Sequence, residues 1–392
     1  MVTTSTGGTT ESVRRANLSQ VLRLLYLGGP CSRAVLSRAT GRNRSTIASL
    51  VADLVELNLV NEREPDAGGQ VGRPSPVVEI RPEVAAIAVN PEIDALTIGL
   101  VGLDGTCKRI IRHEYDRIPS AAEAVSIIAA VIGGMKLELN AHLMAGIGVA
   151  VPGQVRSSDG VVMNAPHLDW HEQPFAEPLA QATGMAVSVA NDAGLGALAE
   201  RDFGAGRGKQ HFIYLNGGAS GIGGGLVAGG ELLAGASGYG GELGHVRVSS
   251  SAAVDSAGIA GTLEAEVTRA ELLAALGLDR VDPETFEQAL LADRSPAVRA
   301  IVERQLGHLG TALAAAINLL NPQVIALGGF LAALLAYDPQ RLHAAVAAAA
   351  LTPSFDGVRI TATEVGANLL MLGAAQLAFR PLLADPASVA RQ

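Results

Sequence analysis

Between Leu18 and Leu57 the apolar residues recur every three or four positions, in three blocks separated by glycine. Leu18, Val21, Leu22, Leu24 and Leu25 share the spacing of one helix, predicted from Asn17 and closed by Gly28-Gly29. Ser32 suits the N-cap of a short helix over 33–40 that Gly41 ends. Asn43 or Ser45 caps a third helix, whose apolar face is Ile47, Leu50, Val51, Leu54 and Leu57. The period then falls to two over 59–62 and again over 76–80, which predicts two strands around the polar tip EPDAGGQVGRPSP. Three helices and a β-hairpin in this order form a winged helix-turn-helix, assigned to 13–82, behind a polar tail, 1–12, expected to be disordered.

From Val84 the pattern becomes an alternation of strands and helices. A hairpin is expected over 85–89 and 95–103, with a turn at Asp104-Gly105. A helix follows over 121–139. Buried strands are expected over 145–151, 186–190, from 212, and over 324–327, with a helix over 311–320. These strands end in Pro152-Gly153, Asn191-Asp192, Asn216–Gly225 and Gly328-Gly329. Polar or glycine-rich strand tips are where α/β folds place ligands. The fold class is therefore α/β, with residues 83–392 forming a ligand-binding and oligomerisation body behind the helix-turn-helix.

Charge sharpens this division. The chain carries a net charge of −9, yet residues 1–50 hold seven arginines against Glu11 alone. A basic end on an acidic body points to nucleic-acid contact at that end. Arg42, Arg44, Ser45, Thr46 and Ser49 would face the major groove, with Ser32 and Arg33 opening the preceding helix. Arg73, between Gly72 and Pro74 at the tip of the wing, suits a narrow minor groove. Only two cysteines occur, Cys31 and Cys107, which excludes a disulfide framework or a multi-cysteine zinc site and fits a reducing cytosol. The apolar windows near 311–335 and 342–351 are interrupted by polar residues and proline, so they read as buried elements rather than membrane spans.

Six motifs in order carry a resemblance to a known family. They are the SRAVLSRATG run of the helix-turn-helix, VPG at 151–153, NAPHLDW at 164–170, ANDAGLGALAE at 190–200, ASGIGGGLVAGGELLAGASGYGGELGH at 219–245 and INLLNPQVIALGGF at 317–330. From about Asn17 to Phe379 the chain resembles the ROK family of repressors and sugar kinases, and its helix-turn-helix makes it similar to the xylose- and glucose-regulon repressors. The resemblance implies a two-lobed actin-like ATPase fold. It also implies that Asp192 stands at the position of the catalytic base, while Asn191, Glu242, His245, Glu264 and, less directly, Asn164 bind hydroxyls of one sugar. Without the resemblance, Asp192 reads equally as a helix N-cap and His245 as a satisfied core histidine.

The chain departs from the family pattern at both phosphate loops and at the zinc run; the second phosphate loop, Ala219-Ser220-Gly221-Ile222-Gly223, keeps most glycines but has Ala where the family usually has Gly. The first phosphate loop, Asp-x-Gly-Gly-Thr, is replaced by Asn90-Pro91-Glu92-Ile93-Asp94, and a carboxylate about 4 Å from a phosphate oxygen is repelled by roughly 4 kcal/mol. The zinc run C-x-C-G-x-x-G-C-x-E has Asp255, Ala257 and Thr262 where the thiolates belong, although Gly258, Gly261 and Glu264 remain. Neither zinc nor ATP is therefore expected as a cofactor, and Asp192 is expected as a vestigial base. The expected protein is a cytoplasmic, sugar-responsive DNA-binding regulator that binds an inverted-repeat operator as a homodimer or tetramer. The alternatives are an active sugar kinase fused to a DNA-binding domain, or a regulator governed by a protein partner.

Overall fold

The computed structural model describes residues 10–64, 75–218, 221–279 and 281–391. The N-terminal unit comprises α1 (Thr10–Gly28), β1 (Cys31–Ser32), α2 (Arg33–Thr40), α3 (Arg44–Glu56), β2 (Val60–Arg63) and β3 (Val77–Ile80). Ser32 caps α2, and Gly41 ends it in the left-handed conformation at φ 67°. Asn43, not Ser45, caps α3 by accepting from the Thr46 N–H at 2.8 Å. Strand β3 pairs antiparallel with both β2 and β1, which makes the winged helix-turn-helix. Helix α1 begins at Thr10, within the segment expected to be disordered. Ion pairs fasten this first stretch: Arg15 with Glu11 at 2.6 Å and Arg14 with Asp53 of α3 at 2.5 Å. The rest of the expected tail and the tip of the wing, including Arg73, lie outside the described residues.

The body is one topology used twice. In the first lobe, β4 (Val84–Pro91), β5 (Ala95–Gly102) and β6 (Cys107–Glu114) form an antiparallel meander, and β7 (Leu143–Val151) and β11 (Val187–Asn191) add in parallel, in the order β11-β7-β4-β5-β6. Between these two parallel strands, β8 (Gln154–Arg156), β9 (Val161–Ala165) and β10 (Trp170–Gln173) form a small sheet, followed by α6 (Ala176–Thr183). The helix expected over 121–139 is two, α4 (Ala121–Gly134) and α5 (Lys136–Leu139), broken at Met135 after two glycines of low helix propensity.

The second lobe repeats the plan with β12 (Phe212–Gly218), β13 (Gly221–Ala228) and β14 (Glu231–Leu232), then parallel β15 (Val324–Gly329) and β16 (Arg359–Ala362). Helix α7 (Asp192–Phe203) crosses into this lobe. Helices α8 (Leu263–Glu266), α9 (Arg269–Ala275), α10 (Pro283–Ala292) and α11 (Pro296–Leu320) precede β15. Helices α12 (Phe330–Tyr337), α13 (Pro339–Ala349) and α14 (Thr352–Phe355) precede β16, and α15 (Leu369–Ala384) returns to the first lobe.

Two helices join the lobes. Helix α15 packs on β4 and β7, α7 packs on β12 and β13, and the two helices pack on each other. Glycine makes both approaches possible: a Cβ at Gly148 would lie 1.8 Å from the Ala374 carbonyl oxygen, and one at Gly373 would lie 2.6 Å from that of Leu195. Residues 366–384 are apolar and long enough to cross a bilayer, but here half of that stretch is buried between the lobes. The helix-turn-helix unit shares this core. Tyr26 of α1 sets its ring edge-on to Phe203 of α7 at 5.4 Å and to Phe379 of α15 at 6.3 Å. The Ser19 hydroxyl donates to the Leu383 carbonyl at 2.6 Å.

Candidate functional site

A cavity of about 410 Å³ opens between the lobes, and its wall contains all six predicted sugar-binding residues: Asn164, Asn191, Asp192, Glu242, His245 and Glu264. Residues from four separate segments thus converge, β9, the β11–α7 junction, the loop after β14, and α8. The same wall includes Gln154, His167, Asn216 and Ser256, none of which was singled out from sequence. Signals for the first three existed. Gln154 follows VPG, His167 lies within NAPHLDW, and Asn216 sits at the tip of β12. Ser256 carried none, because only the folded loop brings it to Glu264.

His245 is oriented by Asp255. Its Nδ1 lies 2.8 Å from Asp255 Oδ2, which also accepts from the Thr262 hydroxyl at 2.8 Å. The other oxygen of Asp255 accepts from the backbone N–H groups of Ala257 and Ile259 at 2.9 and 2.8 Å. Burial by itself would raise the Asp255 pKa. The hydrogen bonds from His245, Thr262 and the two amides outweigh burial and hold the carboxyl at about 2. For His245, burial opposes the charged form, but the bond to Asp255 and the charges of Glu264, Asp255 and Glu242 win, so its pKa lies above the ordinary value. With Nδ1 committed to Asp255, Nε2 is the nitrogen left for a ligand, 4.0 Å from Glu242. Two of the three positions that hold thiolates in the zinc-binding pattern, Asp255 and Thr262, are joined here by a hydrogen bond. Ala257 contributes only its amide. This donor set does not fit zinc, which takes three or four protein ligands: among the described residues no third ligand joins His245 and Asp255, and these two are hydrogen-bonded to each other.

Glu264 spans the cavity floor. Its Oε2 accepts from the Ile222 N–H at 3.0 Å, and its Oε1 accepts from the amide and hydroxyl of Ser256 at 3.0 and 2.5 Å. Gly221, at φ 129°, has no room for a side chain: a Cβ there would lie 2.2 Å from Glu264. One glycine of the loop read as a second phosphate loop is therefore accounted for by this carboxylate. Ala219 and Ser220 lie outside the described residues.

Asn191, not Asp192, is the N-cap of α7. Its Oδ1 accepts from the Gly194 N–H at 2.9 Å and its Nδ2 donates to the Gly153 carbonyl at 3.0 Å. The amide expected to bind a sugar hydroxyl thus already ties VPG to α7, which makes it chiefly a positioning group. Asp192 accepts from the Ala193 N–H at 2.7 Å and is partly exposed in the cavity. Burial of its carboxyl, against these backbone bonds and with Glu242 and Glu92 nearby, pushes its pKa up to about 7.

Asn90–Asp94 forms the end of β4 and the turn into β5. The Glu92 N–H, a group that could have faced phosphate, donates to the Ala95 carbonyl at 2.7 Å. The Tyr115 hydroxyl donates to both the Ala95 and Glu92 carbonyls. Arg112 of β6 bridges Glu92 at 2.9 Å and Asp94 at 2.8 Å. Arg112 offsets only part of this charge, since Glu92, Asp94 and Glu114 all pair with it, so the turn stays negative, as the expected repulsion of phosphate requires. The backbone is a second obstacle: no glycine is present, and the turn is closed by its own hydrogen bond.

The model of the ROK family matches residues 94–380, nearly the whole body. The chain belongs to the ROK family. A putative xylose repressor of Caldicellulosiruptor sp. (strain Rt8B.4) is 25% identical over 95% of this chain and 98% of its own length. A glucokinase of Thermotoga maritima is 30% identical over 63% of this chain and 82% of its own length. Among solved structures, a ROK family transcriptional regulator described as a homolog of the E. coli MLC protein superimposes with a TM-score of 0.80, covering 97% of this chain and all of that one at 23% identity.

The helix-turn-helix stands before the body, and its basic surface divides in two. Arg42, Arg44 and Ser45 are exposed at the start of α3, beside the partly buried Thr46. Arg38 is exposed on α2, and Arg38, Arg42 and Arg44 have no ion-pair partner among the described residues. Other predicted contacts are committed internally. Arg33 forms a two-point ion pair with Glu62 of the wing, Ser32 caps α2, and Ser49 accepts from Arg14 at 3.3 Å. The start of α3 is thus left exposed, while Arg33 and Ser49 make bonds within the domain.

Proposed function

We infer that this ROK protein is a transcriptional repressor whose grip on operator DNA changes when a sugar or sugar derivative enters the cleft. The arrangement of α7 and α15 is the observation that carries this. Asp192 at the start of α7 and Leu370 near the start of α15 both line the cavity. Phe203 at the other end of α7 and Phe379 on α15 both touch Tyr26 of the DNA-binding unit. Buried Glu200 stiffens the far end by accepting from the amides of Ala205, Glu364 and Val365, so α7 is tied to the loop before α15. A sugar that draws the lobes together would move the two helices relative to each other, and Tyr26 would transmit the change to α1. A coupling of about 1–3 kcal/mol alters DNA affinity about 5–150-fold.

Charged carboxylates and an imidazole suit neutral polyhydroxyl ligands, to which they make charge-assisted hydrogen bonds. The protein would work in the cytoplasm as a homodimer, setting two winged helices on the halves of an inverted repeat. DNA selected from random duplexes, then titrated with and without a panel of pentoses and hexoses, tests this. Release by one sugar supports the assignment, and DNA affinity indifferent to every sugar contradicts it. One observation favours a sugar kinase instead: a pKa of about 7 at Asp192 is suited to a general base. Coupled detection of ADP over the same panel decides this, since turnover abolished in Asp192→Asn would establish the kinase.

A further inference from the structure

We propose that Glu266 is a positioning residue of the cleft: it anchors the loop 246–262 to α11 and so fixes where Asp255 holds His245. This role rests on the cleft being a sugar site, and it belongs to a residue outside the cavity wall. Glu264 and Glu266 stand on the single turn of α8 and are put to different uses. Glu264 lines the cavity, whereas the Glu266 side chain is 11% exposed and turns to the loop. Its Oε1 accepts from the Ser249 hydroxyl at 2.6 Å and from the Ser251 hydroxyl. Its Oε2 faces Nε2 of His308 on α11 at 3.6 Å. The two serine bonds outweigh burial and hold the carboxyl below its ordinary range. A carboxylate suits this place because its two oxygens can take both hydroxyls and still face an imidazole.

The serines pass this hold along the loop. Ser249 Oγ accepts from the Ser251 N–H at 3.1 Å, and Ser251 Oγ accepts from the Ala253 N–H at 3.2 Å. The Ala253 carbonyl then accepts from the Gly261 N–H at 2.8 Å, and Val254 pairs with Ala260. Asp255 comes next, and its N–H donates to the Ile259 carbonyl at 3.0 Å. A continuous run of hydrogen bonds therefore leads from Glu266 to the carboxylate that orients His245. The four donors to Asp255 all lie between residues 245 and 262, so its bonds fold this segment on itself. Glu266 adds the tie to α11. That helix is itself held to the segment after α8, because its fully buried Gln305 donates to the Thr268 carbonyl at 3.1 Å.

Amide hydrogen exchange, followed by NMR on the full chain without ligand, tests the positioning directly. In Glu266→Ala, exchange should rise about 10-fold at Ser251 and Ala253, and also at Ala257 and Ile259, whose amides bond to Asp255 and not to Glu266. Glu266→Gln keeps an oxygen for the two serine hydroxyls and should restore most of the protection. Ser249→Ala/Ser251→Ala leaves Glu266 against His308 and should repeat the effect, which keeps the test valid if Glu266→Ala folds poorly. Calorimetry with the panel of pentoses and hexoses should show about 10-fold weaker binding in Glu266→Ala and near-native binding in Glu266→Gln. Faster exchange confined to Ser251 and Ala253, a glutamine variant that behaves like the alanine one, or sugar affinity unchanged in Glu266→Ala overturns the positioning role. A native chain that binds no sugar of the panel contradicts the sugar reading instead, because the exchange result is obtained without ligand.

Discussion

The sugar wall of the cleft and the β4–β5 turn depart from the family pattern in different ways. On the sugar wall, the positions of three thiolates have changed, yet a carboxylate at Asp255 fills the gap. It collects four hydrogen bonds and still presents His245, Glu242 and Glu264 to a ligand. At the β4–β5 turn, which lies outside the cavity lining, Glu92 and Asp94 are also held by hydrogen bonds and ion pairs, but these close the turn instead of opening it. The lesson is that a carboxylate can replace a structural centre when donors surround it. It cannot replace glycine where backbone must face a ligand. The cavity wall thus keeps its polar side chains converged, while the β4–β5 turn offers no glycine backbone to a phosphate.

The largest effect is expected at the surviving wall. Glu242→Ala combined with His245→Ala should weaken sugar binding by about 100-fold or more, because each charge-assisted bond contributes about 1.5–3 kcal/mol. Isothermal calorimetry reads this, and DNA binding without sugar should be unaffected. Asp255→Ala should cost about 3 kcal/mol of stability in a urea titration, because His245, Thr262 and two amides lose their acceptor together. The sign with pH is fixed. Asp255 is depressed to about 2, so its contribution is complete above about 4 and is lost as the pH falls toward 2. His245 is raised, so its share is complete below about 6.5 and is lost as the pH climbs through its elevated pKa.

Smaller effects separate binding from transmission. Phe203→Ala should leave sugar affinity in place and remove about 1–2 kcal/mol of the coupling between sugar and DNA, measured as the ratio of DNA affinities with and without sugar. Asp192→Asn should stabilise the free protein by about 1 kcal/mol above pH 7 and have little effect near pH 4. The raised carboxyl contributes stability while protonated, and that contribution is lost as the pH rises through about 7. The smallest change belongs to the β4–β5 turn. Arg112→Ala should cost under about 1 kcal/mol, since its ion pairs are exposed, and should not create ATP binding.

The strand tips and the three-helix start were legible because each follows from local rules, namely hydrophobic period, capping and glycine. Helix α1 was misplaced at its start because the ion pair from Arg14 to Asp53 joins residues far apart in sequence. The six sugar-wall residues were read through the family pattern, and the fold brings all six into the wall of one cavity. What Asp255 does there was not legible, since its hydrogen bonds exist only once the loop 246–262 has folded back on itself. The pairing of Arg112 with Glu92 and Asp94 was hidden for the same reason: strand register, not sequence spacing, brings them together. Asn191 shows the reverse case, a residue expected at a ligand whose polar atoms serve the backbone first.

The central claim is that the cleft addresses the DNA-binding unit through α7, α15 and Tyr26. Fluorescence anisotropy on selected duplex DNA, with sugar titrated into the native chain and into Glu242→Ala/His245→Ala, tests it most directly. The account predicts that one sugar lowers DNA affinity of the native chain about 5-fold or more and leaves the double variant's affinity unmoved. Equal release of DNA from both proteins, or none from the native chain with any sugar, would contradict it.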